Sequence, residues 1–316
     1  MSSILTAPLF AYDKSKNLLL KAVLPFLIIV HHVLIALPSN GLQFIEQYGG
    51  HIAMFAFFGM FGFGLVHCYL NKEGYLNGFL KKSLFKLFVP YFSALILFCI
   101  YRFTQGTTPI EYFCNTNPLD LVSCSWFIFV LASFYVVFYF VFKYLKTSDT
   151  TKVLCICAFV LLYIIALTLR GSTPHHYNRC LSFCIGMFIA LYDNKIRSLL
   201  IQWQAIVIML LLASGLVVTF VVSSCSSIFL LSAIVTCLLF ILLYSTPSFK
   251  AAGIIKFFSS ICIEMYVVQG IAIDFVILNL QINSFYAAIP LVLLIDILLA
   301  YIVHRIDRWV LRKITV

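Results

Sequence analysis

Charge is what this sequence has least of. Only 10% of its 316 residues are Asp, Glu, Lys or Arg, where soluble domains carry roughly a quarter. With 63% of residues hydrophobic, that scarcity excludes an ordinary water-facing globule and puts the chain in the membrane class. Long polar connections are also missing. The longest, about 105–122, contains Pro109 and Pro118, so there is no room for a second, soluble domain. No internal repeat of about 20–50 residues is visible, which excludes a solenoid. The 11 cysteines lie mostly in apolar runs without paired metal spacing, and most are expected to be small buried hydrophobes. Cys114 and Cys124 flank the polar loop and would pair only if that loop faces an oxidising compartment. The first apolar run, from near Asn17, lacks a small-x-small cleavage site and is read as a retained span.

What is present is a succession of apolar windows of about 20 residues, the length that crosses roughly 30 Å of hydrocarbon. They fall at 18–37, 51–70, 84–104, 123–142, 153–169, 178–193, 199–222, 227–245, 254–279 and 284–304. The expected fold is an all-α integral membrane protein, one polytopic domain of about ten transmembrane helices. If both termini lie on one side, the other side holds only Arg102, Arg170 and Arg179, leaving 18 of the 21 Lys and Arg on the side of the termini. Positive residues stay cytoplasmic, so both termini are expected inside. The net charge of +10 is then mostly topology, and no nucleic-acid partner is called for.

Ionisable groups within spans are costly and usually face a bundle interior or a cavity. Here they are Lys21, His31, His32, Glu264, Asp274 and Asp296, with His51, His67, Arg102 and Arg179 nearer span ends. In "KAVLPFLIIVHHV", Lys21 and His32 are 11 residues apart. At 100° per residue they return to within about 20° of one direction, about 16 Å apart along the axis. His31 instead shares its stripe with Leu20, Leu24 and Leu27, a lipid or packing face. Pro25 removes the amide donor that the Lys21 carbonyl would otherwise use. The plain reading is a snorkelling lysine and a histidine bonded to a neighbouring helix. The functional reading makes His32 a general base towards a hydroxyl.

Other motifs divide in the same way. "FFGMFGFG" (Phe57–Gly64) lets a helix or a ligand approach its backbone closely. In "FLKKSLFKLFVPYF", Lys82 and Lys86 lie one turn apart before Pro90, so their ammonium groups can converge on one anion. Trp126 in "SWF" occupies an aromatic-belt position at the outer interface. Arg179 stands at the outer mouth of the sixth span, and "EMYVVQ" puts Glu264, Tyr266 and Gln269 in the ninth. A buried Glu264 calls for a cationic partner or a proton.

The order of these pieces is similar to that of the acyltransferase 3 family of bacterial integral-membrane O-acyltransferases. It runs from the basic residue and histidine of helix one, through "FF…GF", the basic pair with its proline, "WF" and "FCIG", to "EMYVVQ". The resemblance implies acetyl-CoA or another acyl-CoA as co-substrate, with no bound cofactor and no metal. The acyl group would pass to a hydroxyl of a cell-surface carbohydrate or lipid-linked glycan, in a multi-pass protein of the bacterial inner membrane surrounded by lipid. By the same resemblance His32 and Glu264 are the catalytic positions, and Lys21, Lys82 and Lys86 bind the donor. Arg179, Tyr266, Gln269 and Trp126 support the acceptor or the fold. Departures are Lys21, where Arg is commoner, Phe61 for a serine, Cys262 for Ser and Gln269 for His. Lysine cannot grip phosphate in the bidentate manner of arginine.

The rival reading is a multispan transporter or flippase for a glycan or small solute, with the buried His, Glu and Asp as a proton relay. Against it, the halves show no inverted repeat, and the Lys82/Lys86 pair has no transport role. A polysaccharide polymerase would need a larger external loop.

Overall fold

A computed structural model describes residues 14–37, 41–116, 118, 121–123, 125–200, 203, 206–208, 210, 225–245 and 249–314. The regular elements are α1 (Lys14–Ala36), a π-helical turn (Ile45–Gly49), α2 (Gly50–Asn71), α3 (Phe79–Thr104) and α4 (Pro109–Asn115). They continue with α5 (Trp126–Tyr144), α6 (Asp149–Leu169), a 3₁₀ turn (Pro174–His176), α7 (Leu181–Leu191) and α8 (Cys225–Ser245). The last are α9 (Gly253–Ser260), α10 (Cys262–Asp274), a second π segment (Phe275–Asn279) and α11 (Phe285–Ile314). No strand occurs among the described residues, so the chain is an all-α polytopic membrane protein.

Seven of the described helical stretches are long and apolar enough to span: Lys14–Ala36, Ile45–Asn71, Phe79–Thr104, Trp126–Tyr144, Asp149–Leu169, Cys262–Asn279 and Phe285–Lys313. Rows of large apolar side chains face outward on them, such as Phe92, Ile96 and Ile100 on α3 and Leu162, Ile165 and Leu169 on α6. This is the pattern of a lipid-facing helix surface. The expected sixth and eighth spans correspond to the shorter apolar helices Leu181–Leu191 and Leu231–Ser245. Most of the expected seventh, 199–222, lies outside the described residues. The expected 254–279 span is two helices, because the chain leaves helical geometry at Ile261 (φ −105°, ψ 12°) between α9 and α10.

Two compact units share the chain, and each is assembled from three segments. The first comprises residues up to Lys21, His51–Tyr75 and Tyr144–Lys256. Its core is α2, α6, α7 and α8, with α7 packed on both α6 and α8. The glycines of "FFGMFGFG" act here as packing positions. A Cβ on Gly62 would come within 2.0 Å of the Phe183 carbonyl oxygen, and one on Gly186 within 2.0 Å of the Gly59 carbonyl. The α2 and α7 backbones therefore touch, as small residues allow in membranes.

The second unit comprises Ala22–Gly50, Leu76–Lys143 and Phe257–Val316. Helices α3, α10 and α11 pack on one another. The buried stripe of α11, Ala288, Val292, Asp296, Ala300, Val303 and Asp307, includes two carboxyls. Gly78, at φ 67°, turns the chain into α3, and a residue with a Cβ would be strained there. That turn sets Lys82 and Lys86 on the first two turns of α3.

Candidate functional site

The site is built on α10. Its polar residues Glu264, Gln269 and Asp274 recur every five positions. Five residues advance the helix by about 7.5 Å and rotate it by about 140° beyond a full turn, so each faces a different neighbour. Glu264 meets α11, where its Oε1 lies 2.7 Å from Nδ1 of His304. Gln269 meets α1, where its Oε1 lies 2.9 Å from Nδ1 of His32. Asp274 meets α3, with Oδ2 2.7 Å from the Arg102 guanidinium. In a membrane interior every such group needs an internal partner, and these pairs supply it.

The Gln269 contact fixes the chemistry of His32. The Gln269 amide nitrogen donates to the Tyr266 carbonyl at 2.8 Å, so its oxygen is the atom turned towards α1. An amide oxygen only accepts, so Nδ1 of His32 carries the hydrogen. In the neutral imidazole, Nε2 then carries the lone pair. The orienting group is a neutral amide and not a carboxylate. It holds the ring and tautomer but adds no negative charge against a developing imidazolium.

Gln269 is itself held firmly, being 1% exposed. The next residue, Gly270, lies so close to Ser123 that a Cβ there would be 2.5 Å from the serine Cβ. Tyr266 is buried, with its ring edge-on to Phe127 of α5 at 5.4 Å between centroids.

The adjacent histidines of α1 have different tasks. His31 is buried, and its Nδ1 donates to the Ile45 carbonyl at 3.1 Å. The Gly50 backbone fits against its ring, since a Cβ there would stand 2.4 Å from it. His31 therefore packs the helix end, whereas His32 is half-buried and meets α10 through Gln269.

The Nδ1 partner of His32 is Gln269, while Glu264 is occupied by His304. Beside that pair, the Ser93 hydroxyl donates to Asp307 at 2.5 Å. The sequence reading missed His304, Ser93 and Asp307, whose only signal is a polar residue on a buried helical stripe. Asp296 is fully buried, and neither carboxyl oxygen has a hydrogen-bond partner among the described residues.

Lys82 and Lys86 are both exposed, one turn apart. Trp126, expected as an interfacial belt residue, is only 4% exposed and packs inside the second unit at the start of α5. A belt tryptophan turns its ring to the headgroups, and this one turns it to protein.

Lys21 and Arg179 fall in the first unit. Lys21 is half-buried on α1. Arg179 is buried before α7, and its Nε donates to Nδ1 of His51 at 3.2 Å. That contact ties the start of α2 to the approach to α7. Cys114 is a free, exposed thiol, and Cys124 lies outside the described residues.

No curated protein and no solved structure gives a significant match to the chain. The family model described as an acyltransferase domain, that of the acyltransferase 3 family, matches residues 19–305. That range covers nearly the whole chain and includes His32, the α3 lysines and all of α10. The chain therefore belongs to the acyltransferase 3 family and is a membrane acyltransferase.

Proposed function

We propose that the protein transfers an acyl group, expected to be acetyl, from cytoplasmic acyl-CoA to a hydroxyl of a cell-surface carbohydrate or lipid-linked glycan at the bacterial inner membrane. The observation that supports this reading is the Tyr266–Gln269–His32 chain of hydrogen bonds, which in the neutral imidazole puts the hydrogen on Nδ1 and the lone pair on Nε2. In the reaction, the acceptor oxygen bonds to the thioester carbonyl carbon while Nε2 takes the hydroxyl proton. The carbon–sulfur bond then breaks. The CoA thiolate leaves and takes the proton back from the imidazolium, so the histidine ends neutral.

Lys82 and Lys86 hold the donor phosphates as two adjacent point charges. Lys21 guides the donor along α1, and Glu264 with His304 braces α10 against α11. Arg179, engaged by His51, supports the packing of the first unit. No covalent acyl-enzyme is invoked, since direct attack accounts for every proton and bond.

The test uses membranes containing wild-type or His32→Ala protein, incubated with labelled acetyl-CoA and glycan acceptor. Loss of transferred label at unchanged protein level is expected for the variant. Undiminished transfer would remove His32 from the reaction. No transfer by the wild type, with any acyl-CoA tried, would return the transport reading.

A further inference from the structure

The first unit contains a cavity whose lining includes none of the residues assigned above to acyl transfer. It encloses about 480 Å³ between the end of α2 and the segment after α7, within the range of small-molecule sites. Its polar lining is His67, Asn71, Asp193, Asn194, Lys195 and Arg197. Lys and Arg concentrate on this side of the membrane, which their distribution marks as cytoplasmic.

The carboxylate in this lining is already engaged. One Asp193 oxygen accepts from the Arg197 guanidinium at 2.6 Å, and the other accepts from the Tyr244 hydroxyl. The cationic and donor groups are not used up. Arg197 has five N–H donors, and its buried Nε has no hydrogen-bond partner among the described residues. Lys195 is exposed, with its ammonium 5.5 Å from the Tyr192 ring centroid. The His67 ring stacks on Phe63 at 5.2 Å and makes no hydrogen bond among the described residues, and Asn194 adds an exposed amide. Guanidinium, ammonium, imidazole and amide donors thus surround a space too large for a lone carboxylate. Phosphate, with several acceptor oxygens and charge to match, suits this set. The apolar wall supplied by Leu70, Ala190 and Leu191 suits an organic group attached to it.

We propose that this cavity binds a phosphate ester, its oxygens held by Arg197, Lys195 and His67. The ester has two physical sources, an anionic lipid headgroup of the adjoining leaflet or a soluble nucleotide phosphate. The proposal does not rest on acyl transfer: binding is read without turnover, and Lys82→Ala/Lys86→Ala reports any bisphosphate held at the donor pair.

The test uses the full chain purified in detergent. One arm titrates adenosine 3′,5′-bisphosphate by calorimetry, and the other counts retained phosphatidylglycerol by native mass spectrometry. Wild type, Lys195→Glu, Lys195→Glu/Arg197→Gln, Lys82→Ala/Lys86→Ala and the control Arg308→Gln, on α11 of the second unit, are compared. A charge-assisted contact corresponds to roughly tenfold or more in affinity, so Lys195→Glu is expected to weaken binding by about that factor while Arg308→Gln leaves it unchanged. Loss confined to the bisphosphate arm identifies a soluble ligand, and loss confined to the lipid arm identifies a headgroup. Lys195→Glu alters an exposed side chain and leaves the Asp193–Arg197 pair intact, so it remains informative if the double variant unfolds. The proposal fails if neither probe binds, or if Lys195→Glu binds both as tightly as wild type.

Discussion

The amide oxygen of Gln269 stands 2.9 Å from Nδ1 of His32, across 237 residues of sequence. Because the same amide donates to the Tyr266 carbonyl, it can accept from the histidine in one orientation only. Gln269→Ala is expected to lower kcat roughly tenfold, the equivalent of one hydrogen bond of about 1–1.5 kcal/mol. KM for acyl-CoA should stay near the wild-type value. Gln269→Glu keeps an acceptor at Nδ1 and is expected to retain more activity than the alanine variant. Steady-state kinetics on purified protein decide this, and equal activity of Gln269→Ala and wild type would exclude the tautomer argument.

The two histidines of α1 separate by substitution. His32→Ala removes the general base and is expected to cost about 10²–10⁴ in kcat, with little change in melting temperature. His31→Ala strands the Ile45 carbonyl, leaves a gap beside Gly50, and is expected to destabilise by about 1–3 kcal/mol. Transfer per folded molecule should nonetheless persist. Thermal melts run beside activity assays distinguish the pair, and the opposite pattern would exchange their roles.

Lys82 and Lys86 are exposed charges, so each contributes modestly. Lys82→Ala and Lys86→Ala are expected to raise KM for acetyl-CoA by roughly two- to fivefold each, with kcat unchanged. The effect should shrink at high salt as screening grows. Acetyl-dephospho-CoA, with fewer charges, should show a smaller difference between wild type and variants. Equal loss with both donors would mean that the lysines do not meet the phosphate that was removed.

Glu264, buried, and His304, half-buried, form a pair at 2.7 Å. Removing either partner strands the other and is expected to cost about 1–3 kcal/mol. The Glu264→Gln/His304→Gln double variant should be more stable than the two single losses predict by addition. Additive losses in a double-mutant cycle would show that the pair contributes no coupling.

In the connection before α5, the Glu111 carboxyl accepts from the backbone N–H and hydroxyl of Thr108, both at 2.9 Å. The backbone bond first, then the hydroxyl, holds its pKa below the usual glutamate value. A group lowered in the folded state stabilises above its unfolded pKa and loses that contribution as pH falls through the folded one. Hydrogen-exchange protection of the Thr108 amide should therefore be flat above the ordinary glutamate pKa of about 4.3 and decline below it. Glu111→Gln, which does not titrate, should remove the dependence.

The all-α membrane fold was legible in the sequence, because lipid imposes long apolar runs. Helical phase put His31 on a lipid or packing face, and the fold buries it against Ile45 and Gly50. What periodicity within one helix does not contain is the partner on another. That His32 meets Gln269, that Glu264 meets His304 and that Asp307 meets Ser93 depend on how α1, α3, α10 and α11 pack. Trp126 failed for a related reason. Its position at a span end suggested the headgroup zone, but its ring direction is set by α5 packing inward.

The second unit draws on residues near both ends of the chain. During synthesis α1 enters the bilayer first, long before α10 and α11 leave the ribosome. His32 must wait in lipid without Gln269 until a further 237 residues have been made. A prematurely terminated chain ending before α10 would carry the base, the lysines and most of the spans, yet hold no oriented imidazole. The His32–Gln269 contact thus joins the first membrane helix described to one made 237 residues later.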